Sequence, residues 1–401
     1  MAWRVMPLGE LCEVVNGGTP KTGIDEYWGG EHLWITPAEM GKRESPYADD
    51  TERKITDAGL QNSSARLLPP HSVILSSRAP IGHLVINTEP MATNQGCKGL
   101  VPGPLIDHKY LFYFLGSIVD LLNALGTGAT FKELSGGKLK EVLVPVPPLS
   151  EQKRIVAILD EAFEGIRIAT ANAEKNLVNA RELFESGLGA AFEDQQTWTT
   201  TTIGQIGDVF DGPHATPTIT DQGPIFLGIE ALRDGELVIG KMRHVSRDTF
   251  EQWTRRVRPA PGDVVFSYET RLGQAAIIPE DLECCLGRRM GLVRVDRSRI
   301  DPKFFLYSYI SPQYRRFLET KIMRGATVDR LSIRDFPSFS FAYPSLERQR
   351  KIVALIEATI TANRQLRAHH EAKIASYGNL KQSILSRAFS GQLTATKGLA
   401  A

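Results

Sequence analysis

At 401 residues the chain is longer than one ordinary core accommodates, and 42% hydrophobic with 23% charged residues is the make-up of a globular protein of two or more domains. Its 47 basic and 46 acidic residues leave a formal charge of +1, which excludes a global basic field, so any anion-binding surface must be a local patch. Four cysteines without CxxC spacing and scattered histidines exclude a zinc or disulfide framework and point to free thiols in a reducing compartment. The opening MAWRVMPLGELCEVV lacks the basic start and long apolar run of a signal peptide, and no apolar stretch reaches a membrane span, so the expected location is the cytoplasm, away from any membrane.

Residues 1–148 contain short period-2 runs such as Val73 and Leu75, set among many glycines and prolines, and read as a β-rich module with irregular loops. Pro147 and Pro148 then break the chain, and 149–194 reads as one long helix with Ser150 as N-cap and Glu151 in the first turn. Its apolar positions recur at alternating four and three residues: Ile155, Leu159, Ala162, Ile166, Ala169, Ala173, Leu177, Ala180 and Phe184, a coiled-coil-like seam. The polar stretch EDQQTWTTTTIGQ reads as a linker. A second β-rich module occupies 195–344, and a second long helix 345–392, with Ile352, Ile356, Thr359, Asn363, Leu366, His370, Ile374 and Tyr377 in the same phase. Two of these positions are polar: either Asn363 and His370 fix the register of a helix pair, or the seam drifts and both face water. The last residues, 393–401, read as a frayed tail.

The two halves are copies. Ile155-Val156-Ala157 matches Ile352-Val353-Ala354, an offset of 352 − 155 = 197. The same offset carries Gly128-Ala129-Thr130 onto Gly325-Ala326-Thr327, Pro147 onto Pro344, Gln152 onto Gln349 and Phe192 onto Phe389. Earlier parts match with small shifts, as LGELCEVVNGG does IGQIGDVFDGP. An uninterrupted offset fits a continuous helix, whereas the modules diverge. The expected class is therefore α+β: two β-rich modules in tandem, with two long helices packed antiparallel and internal pseudo-two-fold symmetry.

No phosphate loop, dinucleotide fingerprint, HExxH or nucleophile elbow is present, so the chain reads as a binding protein without catalytic residues, metal or cofactor. Basic residues cluster in loop-rich segments. Candidates for nucleic-acid contact are Lys21, Arg43, Arg78, Lys98 and Lys132 in the first module, and Arg243, Arg255, Arg256, Arg271, Arg288, Arg289 and Arg324 in the second. Such side chains suit phosphates, and arginine also suits guanine edges. Thr36, Glu39, Asn94 and Glu230 are candidate polar base readers. For helix–helix packing the seam nominates Ile155, Leu159, Ile166, Leu177, Phe184, Ile352, Ile356, Leu366 and Ile374.

PLGELCEVVNGGTP, LSSRAPIGHLVI, ATNQGCKGLVP and above all GATFKELSGGKLKEVLVPVPPLSEQKRIVAILD resemble the specificity subunit of type I restriction–modification systems, in the order recognition domain, helix, recognition domain, helix. The resemblance implies two target-recognition domains that each read one half of a split, asymmetric double-stranded DNA site. It implies helices that act as a ruler and dock two modification subunits, which bind S-adenosylmethionine and methylate adenine. Restriction subunits, ATP-driven translocating nucleases, would join through these, and the specificity subunit itself would not be catalytic. The second copy departs from the pattern: RLSIRDFPSFSFAYPSLERQR lacks the double proline and Ser-Glu-Gln. A methylation-only system and a non-DNA-binding coiled-coil scaffold are the rival readings.

Overall fold

The computed structural model describes residues 3–128, 132–238, 240, 242–325 and 328–394. Ala129, Thr130, Ala326 and Thr327 of the repeated Gly-Ala-Thr lie outside these residues, as does 395–401 of the tail. The architecture is mixed α and β, and it divides into two compact units, Met1–Ala173 with Ala372–Ala401, and Glu174–Glu371. The division cuts both long helices, so each unit is one module plus part of each helix.

In the first unit a five-stranded sheet runs Cys12–Asn16, Cys97–Pro102, Val73–Ser77, Ile81–Asn87, Tyr47–Ala48 in spatial order. Its central strand, VILSS, is buried throughout, as a strand covered on both faces demands. A three-stranded sheet pairs Trp28–Ile35 antiparallel with Arg53–Ile55 and parallel with Met91–Thr93. Arg4–Pro7 closes the module by pairing with Leu143–Val146. The second unit repeats this plan. Gly207–Asp211, Met290–Val295, Val264–Ser267 and Ala275–Ile277 form a four-stranded sheet, and Ile219–Leu227 pairs with Arg243–Val245 and Cys284–Leu286. Thr199–Thr202 pairs with Ser340–Tyr343, so part of the expected linker is a strand; a run of β-branched threonines suits that role.

The long helices run Leu149–Ala191 and Leu346–Phe389. The first starts two residues before the position that an N-cap at Ser150 implies, because the Pro148 carbonyl already accepts from the N–H groups of Glu151 and Gln152. Within each unit the start of one helix packs beside the end of the other: Ile155 and Leu159 share a core with Leu385 and Ala388, and Ile352 and Ile356 with Leu188 and Phe192. The pairing is thus antiparallel in both units. Each such fully buried aliphatic side chain stabilises by about 2 kcal/mol.

The seam of the first helix is buried or half-buried at every position from Ile155 to Phe184, Ile166 and Leu177 included. In the second helix Ile374 is half-buried but Leu366 is 39% exposed. The buried stripe passes from Asn363 to His370, seven residues and close to two turns, leaving Leu366 at its margin. Asn363 donates through Nδ2 to the Ala180 carbonyl of the first helix, and His370 is buried, so neither residue drifts into water.

The joint between module and helix is the same in both units. Gln152 is fully buried; its Nε2 donates to the carbonyls of Leu105 and Pro147, both at 2.9 Å, and its Oε1 accepts from the Asp107 N–H at 2.8 Å. Gln349 makes the matching bonds to Arg299, Pro344 and Asp301 at the same three distances. Asp107 and Asp301 in turn cap the helices His108–Ser117 and Pro302–Ile310. Lys109 pairs with Asp160, and Lys303 with Glu357.

Candidate nucleic-acid interface

The tips of the two large sheets can be superposed residue by residue from their registers. Ser76 faces Cys97 in the first, and Ser267 faces Met290 in the second. Two strands thus lead into the same turn. The Ser77 N–H donates to the Gly96 carbonyl, and the Tyr268 N–H to that of Arg289. The Leu134 N–H donates to the Ser77 carbonyl, and the Leu331 N–H to that of Tyr268. Single antiparallel bridges join Arg78 to Glu133 and Glu269 to Arg330.

At the first tip Arg78 Nη1 lies 3.4 Å from Glu133 Oε2, and Lys98 Nζ lies 4.0 Å from Glu133 Oε1. Lys98 is a buried lysine on the strand; burial lowers its pKa, and the Glu133 carboxylate opposes that shift. Asn94 folds back, its Oδ1 accepting from the Gly96 N–H at 2.9 Å, and Gln95 is exposed.

At the second tip Arg289 pairs with Glu269, and Asp211 holds Arg256 at 2.7 Å and His214 at 3.2 Å. Between them sits Tyr268, 6% exposed, whose hydroxyl has no partner among the described residues. Burial pushes this phenol up to about 12; Asp211 and Glu269 push the same way, and Arg288 and Arg289 oppose them. Arg289 sits at φ +151°, a backbone region that favours glycine, whereas its counterpart at the first tip, Gly96, does not adopt a positive φ.

The remaining candidates are distributed differently. Thr36 caps the short helix Pro37–Met40, its hydroxyl accepting from the Glu39 N–H. Glu39 is buried and takes Arg43 at 2.9 Å and the Glu52 N–H at 3.2 Å, so these three side chains shape a loop of the small sheet. Arg243 pairs with Glu230 at 3.2 Å, and Arg271 donates to the Ile229 carbonyl. Lys21, Lys132, Arg255, Arg288 and Arg324 are exposed, with no ion pair among the described residues. The geometry therefore gathers Arg78, Asn94 and Lys98 at one tip and Arg256, Arg288 and Arg289 at the other, and leaves the rest outside these clusters.

Sequence reasoning missed Gln95, Glu133, Asp211, Tyr268, Glu269 and Arg330. A signal for one pair was present: Glu133 and Arg330 stand at the constant offset of 197 with opposite charge. Among the described residues no group of three or more His, Cys, Asp or Glu side chains could hold a metal ion, and no helix is long and apolar enough to cross a membrane.

Residues 2–180 match the family model of the type I restriction modification DNA specificity domain. The chain is 38% identical over 189 residues to the type I restriction enzyme MjaIX specificity subunit of Methanocaldococcus jannaschii, covering 46% of this chain and 43% of that relative. It thus spans less than half the length of that relative. It is 22% identical over 428 residues to the EcoKI specificity subunit of Escherichia coli K12, covering 98% of this chain and 89% of the relative. Among solved structures, the HsdS subunit from Thermoanaerobacter tengcongensis aligns with a TM-score of 0.60 at 20% identity, over 98% of this chain and 97% of that one. A chain from a structure described as the basis of complex assembly and conformational transition of the type I R-M system reaches 0.77 at 20% identity, over 98% of both chains. The fold is therefore that of these solved subunits, and the chain is similar to type I specificity subunits along almost its whole length.

Proposed function

We propose that this chain is the DNA-recognition subunit of a type I restriction–modification complex. Each module reads one half of a split, asymmetric double-stranded site, the helices set the spacing between the halves, and the chain itself performs no chemistry. The helices dock two modification subunits, which bind S-adenosylmethionine and methylate adenine; restriction subunits join through these, and the complex works in the cytoplasm. The observation that carries the reading is the duplicated unit: two modules of one plan, identically joined to the helix pair, the first lying within the specificity-domain match.

In physical terms, exposed unpaired cations such as Lys21, Lys132, Arg255, Arg288 and Arg324 serve phosphates, which set affinity and its salt dependence. One chain with unlike halves imitates a dimeric reader, so its site need not be palindromic. The modification subunit flips the target adenine out of the stack while the modules hold the flanking duplex.

The test is sequencing of methylated bases in host DNA with and without this gene, its modification partner kept. Loss of N6-methyladenine at one split motif, with a gap of about six base pairs, so that the halves lie within roughly one turn, is the expected result. Unchanged methylation with the protein expressed overturns the proposal.

A further inference from the structure

The two sheet tips share a strand register but not their charged side chains. Position by position, from the registers and bridges above, Asn16 corresponds to Asp211, Ser77 to Tyr268, Arg78 to Glu269, Gln95 to Arg288, Gly96 to Arg289, Lys98 to Gly291 and Glu133 to Arg330. At the bridge itself the charges are inverted, Arg78–Glu133 against Glu269–Arg330. The totals differ slightly. The first tip carries two cations and one carboxylate, a net +1, and the second, with Arg256 held by Asp211, four cations and two carboxylates, a net +2.

We propose that these two tips are the base-reading elements of the two modules, and that the exchanged charges at 78/269 and 133/330, with Arg289 in place of Gly96, make the two half-sites unlike. The proposal rests on the DNA-recognition reading above and goes further by naming where sequence is read. Both tips are net positive and so both attract phosphates, while the exchange at the bridge changes the pattern of charge. Pattern is what distinguishes base pairs in the major groove: a guanidinium matches guanine O6 and N7, a carboxylate the cytosine amino group.

A structural salt bridge can also exchange its charges in a duplicated fold, but that leaves three features without a cause. Tyr268 keeps a buried hydroxyl without a partner among the described residues, which is unfavourable. Lys98 is buried with its nearest carboxylate oxygen 4.0 Å away. Arg289 occupies a backbone conformation suited to glycine. Each tip thus holds a buried polar group short of a partner, Lys98 at the first and Tyr268 at the second, at positions that do not correspond, and such groups are those a ligand completes.

The experiment uses the full chain with its modification partner in cells, reading the methylated motif, with thermal melting of the purified variants as the check on folding. Arg289→Gly installs the residue that the first module uses at this turn and relaxes its backbone; Glu269→Gln and Arg78→Gln keep size and lose charge. Either second-module variant is expected to reduce discrimination about tenfold at one or two positions of one half-site and leave the other half intact. Arg78→Gln does the reverse. An unchanged motif in folded variants overturns the proposal, as does an equal loss in both halves, which marks phosphate contacts. Absence of any split motif with the wild-type chain is a separate result, because it sinks the DNA-recognition reading itself.

Discussion

Two regions of this molecule record the same duplication in opposite ways. Where each module meets the long helices, the copies agree to the level of individual hydrogen bonds: Gln152 and Gln349 each tie an aspartate N–H and two carbonyls, and a lysine–carboxylate pair stands beside each. At the sheet tips the strand register agrees and Ser76/Ser267 and Leu134/Leu331 are shared, but the charged side chains are exchanged. A joint must satisfy fixed backbone groups, and one glutamine geometry does so for both copies. A tip that meets a ligand is free of that constraint, and two ligand halves that differ favour two different tips.

The sharpest way to break this comparison is at the joint. Replacing Gln152 by Leu leaves one buried N–H and two buried carbonyls without partners, and the expected cost is about 3 kcal/mol. Gln349→Leu should cost the same within about 1 kcal/mol, since the bonds match. Urea denaturation of the full chain reads both; a large loss for one and none for the other shows that the two joints only look alike.

A second test uses the cysteines, two per module, all four free and buried. Burial pushes Cys12, Cys97, Cys284 and Cys285 each up to about 12. Unfolded thiols ionise near pH 8.5, so the unfolded state sheds protons that the folded state keeps. The thiol contribution is therefore intact below about pH 8.5 and declines as pH rises toward 12, by at most about 3 kcal/mol per pH unit in each module. Denaturation midpoints at pH 8 and 10 should fall together for both modules, and the native thiols should resist alkylation at pH 8. A fast-reacting cysteine contradicts the burial.

What was legible in the sequence followed the same divide. The helices were readable because their seam is periodic and their offset constant: Ile155 to Phe184 took the predicted face, and Gln152 and Gln349 were paired by spacing alone. The sheet tips were not. Arg78 and Glu133 are 55 residues apart and Asp211 and Arg256 are 45, so only the folded sheet brings them together. Counting basic residues favoured exposed arginines and overlooked the carboxylates and the tyrosine among them. It also nominated Thr36 and Glu39, whose oxygens are taken up by a helix cap and a loop.

The smallest expected effect concerns the helix pair, at one of the seam positions where the copies differ. Ile166 stands at the constant offset from Asn363, and both are half-buried, one apolar and one an amide bonded to the Ala180 carbonyl. If that bond supplied stability, Asn363→Ile and Asn363→Ala would both weaken the fold. A polar seam residue acts instead against misaligned pairings, at some cost to the aligned one. The carbonyl it bonds belongs to a helical residue, so losing the amide leaves no buried acceptor orphaned, and isoleucine adds apolar contact that alanine lacks. Asn363→Ala is thus expected to cost about 1 kcal/mol, whereas Asn363→Ile is neutral or stabilising by about 0.5 kcal/mol. The penalty for the isoleucine variant appears elsewhere, as faster amide exchange along residues 174–191 and 346–371, where the pairing has lost the contact that fixed its register. A variant that loses stability without faster exchange shows that Asn363 serves the fold as an ordinary hydrogen-bond donor.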